Sequence, residues 1–158
     1  MKEIFDTFST ESSKNVTKKY STSFYTAVCA LDKNIRNDIH NIYGFVRLAD
    51  EIVDSFHGFD KATLLMEFTN DCFLSIERGI SLNPILNSFQ MTVNKYKIDH
   101  SLIRQFLSSM EMDLKPVDYG IENYKEYIKP LKAQLDRIEY VEKENLETSS
   151  EELITQIN

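Results

Sequence analysis

Asp50 and Asp54 stand four residues apart in the segment RLADEIVDSF, residues 47–56, beside the apolar residues Ala49, Ile52, Val53 and Phe56. On a helix, at about 100° per residue, the two aspartates project in nearly the same direction. Arg47 and Tyr43 lie on that side too, one and two turns earlier. Two carboxylates so spaced can hold one divalent cation between them. Magnesium (Mg2+) suits the pair, because proteins commonly bind it through one or two carboxylates while water and substrate phosphates fill the other positions. Arg47 then offers a charge-assisted contact to a phosphate. The competing reading is a solvated helix edge on which Arg47 pairs with Asp50 or Glu51, since acidic i, i+4 pairs are common on helices. The spacing alone leaves both readings open.

The elements that must position these residues are helical. Asp32 is a suitable N-cap for a long helix running to about Phe56. Its apolar residues Ile35, Ile39, Ile42, Val46, Ala49 and Val53 recur at spacings of three and four, the mark of an amphipathic helix. Residues 10–19 and 22–31 form two short helices ahead of it. HGFD, residues 57–60, makes a turn. Asp60 caps a helix over 61–78 that carries Leu64, Leu65, Phe68, Cys72, Phe73 and Ile76 inward and ends at Gly79. Asn83 and Pro84 start another, to about Tyr96. Asp99 caps a fifth over 100–114, with Leu102, Ile103, Phe106, Leu107 and Met110 inward. Residues 121–129 read as a short helix before Pro130. The final stretch is rich in Glu, Lys and Gln. With Leu131, Leu135, Ile138 and Val141 on one face, it reads as one or two solvated amphipathic helices. No strand-like alternation persists, so the fold class is an all-α helical bundle with short connections.

Composition narrows the function. The 158 residues suit one domain, with 42% hydrophobic residues for a core. A net charge of −7 argues against nucleic-acid binding, which calls for a basic surface. No stretch approaches the roughly 20 apolar residues of a membrane span, and the acidic N-terminus MKEIFDTFST is unlike a signal peptide. The cytoplasm is the expected compartment. Cys29 and Cys72 fit no metal or redox spacing and are expected to be small buried residues. His40, His57 and His100 are scattered and expected at the surface or in turns. Phe45, Phe56, Phe59, Phe68 and Phe73 are assigned to the core.

The text around the aspartates carries a further signal. YSTSFYTAVCALDKNIRNDIHNIYGFVRLADEIVD, residues 20–54, resembles the squalene/phytoene synthase family. That family has a Ser-x-Ser-Phe segment, here Ser21-Thr22-Ser23-Phe24, then an aromatic-rich helix, here IYGFVR, leading into an Asp-x-x-x-Asp motif, here Asp50 to Asp54. SSMEMDL, residues 108–114, resembles its Met-x-x-Asp-Leu segment, followed by a tyrosine-rich acidic stretch, here YGIENYKEYI. The resemblance runs in order over about residues 10–128 and is strongest to the bacterial phytoene synthase branch. It implies a magnesium-dependent prenyltransferase of carotenoid or squalene biosynthesis. Such enzymes join two prenyl diphosphates, farnesyl or geranylgeranyl, head to head inside an isoprenoid-synthase helical fold. Carried over, Asp50 and Asp54 are the first magnesium motif. Arg47, Ser21 and Ser23 contact diphosphate, and Tyr43 and Phe24 line the pocket. Tyr20 stands where relatives carry a basic or aromatic residue. A greasy product makes peripheral membrane contact an expectation, although no basic amphipathic helix supports it.

After YKEYI the resemblance stops. Lys129-Pro130-Leu131-Lys132 interrupts, and no second aspartate motif follows; Asp136 stands alone. Residues 1–128 are therefore expected to be the N-terminal half of the family's fold, and 129–158 a divergent charged tail. A truncated product, a split enzyme completed by a partner chain, and a non-catalytic helical binding or assembly protein all fit this pattern. The chain alone is expected to have little or no condensation activity.

Overall fold

The computed structural model describes residues 1–115, together with Ala133 and Arg137, both helical and exposed. The chain divides into two compact units, Met1–Lys115 and Pro116–Asn158. Among the described residues the first unit is built of α1 (Lys2–Tyr20), α2 (Thr22–Cys29), α3 (Lys33–Asp54), α4 (Lys61–Arg78), α5 (Pro84–Tyr96) and α6 (His100–Leu114). Their boundaries follow from side-chain caps. Asp32 accepts from the Asn34 N–H at 2.8 Å, Asp60 from Thr63 at 3.1 Å, Asn83 from Ile85 at 3.0 Å and Asp99 from Ser101 at 2.8 Å. Each satisfies an amide that has no partner within its own helix. Gly79 closes α4 in the left-handed region at φ 70°, a conformation costly for residues with a Cβ. The all-α bundle expected from the sequence is the fold observed.

The apolar core lies where α3, α4, α5 and α6 meet. Phe45 of α3 is its centre. Its ring stacks on Phe89 of α5 at 3.8 Å between centroids and on Phe68 of α4 at 5.4 Å, and meets Phe106 of α6 at 5.6 Å. Ala49, Ile52, Leu65, Cys72, Leu86, Val93, Ile103 and Leu107 pack around it, all buried. Burial drives the Cys72 thiol up to about 12 and leaves it an inert apolar group at neutral pH.

The other side of α3 is covered differently. α1 buries Ser9, Ser13 and Thr17, not an apolar stripe. Asn87 of α5 donates to Asp6 at 2.9 Å and to Ser9 at 3.0 Å. The Ser13 and Ser88 hydroxyls lie 2.6 Å apart. Ser88 gives its own proton to the Ile85 carbonyl, so Ser13 is the donor between them. Thr17 donates to the Ser13 carbonyl, which makes His40 the donor to Thr17, from Nδ1 at 2.9 Å. Two residues before His40, Asp38 accepts from Lys95 at 2.7 Å, Tyr96 at 2.8 Å and Thr92 at 3.0 Å, tying α3 to α5. Gly44 lets α1 approach: a Cβ there would sit 2.9 Å from the Ser13 Cβ.

This seam corrects several expectations. His40 is not a surface residue; it is 2% exposed, stacked on Tyr25 at 5.7 Å and bonded to Thr17. Ile35, placed on the inward stripe, is exposed, because the inward face of α3 turns through Asp38, Asn41 and Phe45. Leu102 is exposed while Ile103 and Leu107 carry the α6 contact. Phe59, in the turn before α4, is exposed. Cys29, at the end of α2, is exposed where a buried thiol was expected. α1 begins at Lys2, well before residue 10. No helix among the described residues is long and apolar enough to cross a membrane. The short helix expected over 121–129 and the amphipathic tail lie outside the described residues.

Candidate functional site

The α1–α2 junction meets the middle of α3 at Ser21. This residue ends α1, its N–H donating to the Thr17 carbonyl at 2.9 Å, and caps α2, its hydroxyl accepting from the Phe24 N–H at 3.2 Å. The break between the helices is therefore set by one extended residue, with φ −150°. The Ser23 hydroxyl lies 3.4 Å from that of Ser21. The cap places Phe24 on α3, where its ring stacks on Tyr43 at 4.9 Å and 22°. One residue back, the Tyr20 ring lies against the Arg47 guanidinium, 4.6 Å from ring centroid to the guanidinium carbon.

Arg47 is held within α3 as well. It donates through Nη2 to Glu51, one turn on, and its Nη1 lies 3.9 Å from Asp50 Oδ2. The pairing expected of a helix edge is thus present. Its Nε is buried and, among the described residues, has no hydrogen-bond partner. The Glu51 hydrogen bond raises the Arg47 guanidinium above its usual range and lowers the Glu51 carboxyl.

Asp50 behaves differently from an exposed aspartate. Its side chain is one-third exposed, and burial raises its carboxyl above the ordinary value. Arg47 opposes that shift, while Asp54, Asp113 and Glu51 add to it. Asp54 is exposed on the last turn of α3. Asp113 comes from the last turn of α6 and brings a fourth helix to the site, after α1, α2 and α3. Among the described residues, the charges that act on Asp50 are three further carboxylates, Glu51, Asp54 and Asp113, and the guanidinium of Arg47.

That surplus of negative charge is what a bound cation offsets, and hard carboxylate oxygens are the donors magnesium takes. The residues fit the ion in this limited sense. Among the described residues no group of three or more His, Cys, Asp or Glu side chains is close enough to hold a metal ion alone. An ion held by a carboxylate pair alone would take its other ligands from water or phosphate oxygens. A shallow cavity of about 290 Å³ lies elsewhere, between the end of α4 and the start of α5, and none of these residues lines it.

The structure therefore brings Ser21 with Ser23, Phe24 with Tyr43, and Arg47 with Asp50, and joins the groups through Tyr20. Asp54 is linked to Asp50 electrostatically. Sequence reasoning overlooked Tyr20 as a partner of Arg47 and Asp113 as a neighbour of Asp50. The signal for Asp113 lay in SSMEMDL, already singled out for its resemblance. A family model described as squalene/phytoene synthase matches residues 17–130. No curated protein and no solved structure matches the chain.

Proposed function

Because the chain belongs to the squalene/phytoene synthase family, we propose that it binds a prenyl diphosphate for head-to-head isoprenoid condensation and supplies the first aspartate pair of that site. The observation that carries this reading is Asp50. It is a partly buried carboxylate raised by its surroundings, one turn from Asp54 and beside Arg47, in a position where a cation relieves unfavourable charge.

Asp50 and Asp54 would hold magnesium, which as a Lewis acid neutralises the diphosphate and assists its departure. Arg47 binds a phosphate oxygen by a charge-assisted hydrogen bond. The Ser21 and Ser23 hydroxyls, 3.4 Å apart, offer a neutral donor pair for further oxygens. The stacked Phe24 and Tyr43 rings give the prenyl chain an apolar wall beside the polar end and keep water from it. A farnesyl or geranylgeranyl group suits such a wall. Among the described residues there is one motif of this kind. A complete clamp calls for an opposed set of carboxylates, supplied by other residues or by a partner chain. The second reading, a non-catalytic helical binding or assembly protein, is favoured by one observation: Glu51 already engages Arg47.

Calorimetry with a non-hydrolysable farnesyl diphosphate analogue tests the proposal. Saturable binding that needs magnesium and is lost in Asp50→Asn/Asp54→Asn supports it. An analogue that a folded chain ignores, with or without magnesium, refutes it and favours the non-catalytic reading.

A further inference from the structure

The Arg47 side chain is long, and a flexible cation binds an anion poorly until something fixes its direction. Glu51 fixes one edge of the guanidinium at Nη2. A carboxylate holds by cancelling charge, however, and the cancelled charge is the one an incoming anion needs. The Tyr20 ring restrains the guanidinium face at 4.6 Å without carrying a counter-charge. Nη1 faces Asp50 at 3.9 Å, longer than a hydrogen bond, and among the described residues that edge makes no hydrogen bond on the side of the aspartates. The ring is itself well placed. Tyr20 is the last residue of α1, one turn past buried Thr17, and the next residue, Ser21, is pinned by two hydrogen bonds.

We propose that Tyr20 is a positioning residue for Arg47: its ring face holds the guanidinium so that the Nη1 edge meets a diphosphate beside Asp50. The inference rests on the reading of this site as a diphosphate site. Tyr20 is half exposed, so its replacement leaves the core intact.

The test compares Tyr20→Phe with Tyr20→Leu in the full chain. Both replacements are large and apolar, and only phenylalanine keeps a π face. Two readouts are taken. In the ligand-free chain, NMR records the ring-current shift of the Arg47 side-chain protons. Calorimetry then measures inorganic pyrophosphate binding in the presence of magnesium. Tyr20→Phe is expected to keep the shift and the affinity. Tyr20→Leu is expected to lose the shift and to weaken binding about two- to fivefold, as loss of an exposed cation–π contact implies. A Tyr20→Leu chain that matches wild type in both readouts overturns the proposal, as does a wild-type spectrum without the shift. Wild-type protein that shows the shift but binds no pyrophosphate refutes the diphosphate reading, and with it any role for Tyr20 in diphosphate binding; the arginine–tyrosine contact alone would then stand.

Discussion

Replacing Gly44 by alanine tests how closely α1 rests on α3. Helix propensity alone predicts a gain of about 1 kcal/mol, because alanine is the better helix former. The packing predicts the opposite. A Cβ at position 44 would lie 2.6 Å from the Ser13 hydroxyl oxygen, 2.9 Å from its Cβ and 3.2 Å from its Cα. The hydroxyl can rotate away, but only by giving up its buried bond to Ser88, a loss of about 1 kcal/mol. The Cβ and Cα move only with α1 itself, and forcing a methyl into a packed interface costs about 1–3 kcal/mol. Together these terms leave Gly44→Ala destabilised by about 1–3 kcal/mol. Urea denaturation followed by circular dichroism measures this as a lower midpoint at unchanged slope. Ser13→Gly clears both the Cβ and the hydroxyl. The double variant is therefore expected to be less destabilised than the sum of the single changes by about 1 kcal/mol or more. Ser13→Ala keeps the offending Cβ and is expected to rescue less. A Gly44→Ala protein more stable than wild type, or one that shows no coupling to Ser13→Gly, would refute the close approach.

Two further changes probe the same frame. Burial, aided by Lys14, lowers the His40 pKa, so the native state holds the ring neutral. Below the unfolded value near 6.5 the unfolded chain binds up to one more proton than the native one. Stability then falls with acidification by up to about 1.4 kcal/mol per pH unit until the native ring also titrates. Denaturation midpoints at pH values either side of 6.5 measure this, and His40→Gln is expected to flatten the dependence in that window; an unchanged profile would show that His40 is not its source. Phe45→Ala removes a ring that contacts Phe89, Phe68 and Phe106, and is expected to cost about 3–5 kcal/mol in the same denaturation assay. A loss below about 1 kcal/mol would mean that the core closes around the gap.

The starts of α3 to α6 were the most legible part of this chain, whereas that of α1 was not. Asp32, Asp60, Asn83 and Asp99 all cap the helices that they were expected to cap, because a cap is a bond between near neighbours and the spacing contains it. The inward face of α3 was read less well. Hydrophobic periodicity treats a polar residue as an outward one, and that fails when the covering helix is polar too. Asp38, His40 and Asn41 are buried because α1 and α5 bring Thr17, Thr92, Lys95 and Tyr96 to meet them, partners that lie 23 to 58 residues away in sequence. The site divides in the same way. Helical spacing put Tyr43, Arg47, Asp50 and Asp54 on one side of α3, whereas Tyr20 and Asp113 come from other helices. Their relation to Arg47 and Asp50 is a matter of tertiary distance, which no local pattern encodes.

The seam of Ser9, Ser13 and Thr17 also acts as an index. Greasy helix faces tolerate sliding, since one methyl replaces another. Hydrogen-bonded faces do not, because each donor must meet its own acceptor. A slip of one residue along α1 turns the helix by about 100° and moves it about 1.5 Å. In one direction it would carry Lys14 and Lys18 into positions that admit only a serine and a threonine; in the other, Phe8 would enter the place of Ser9. Neither shift can be accommodated, so α1 has a single setting. From the bond at Asp6 to the ring at Tyr20 it then behaves as a ruler about 21 Å long. What lies at its far end, the Tyr20 ring and the Ser21 hydroxyl, is placed against α3 by an alignment that begins almost four turns away.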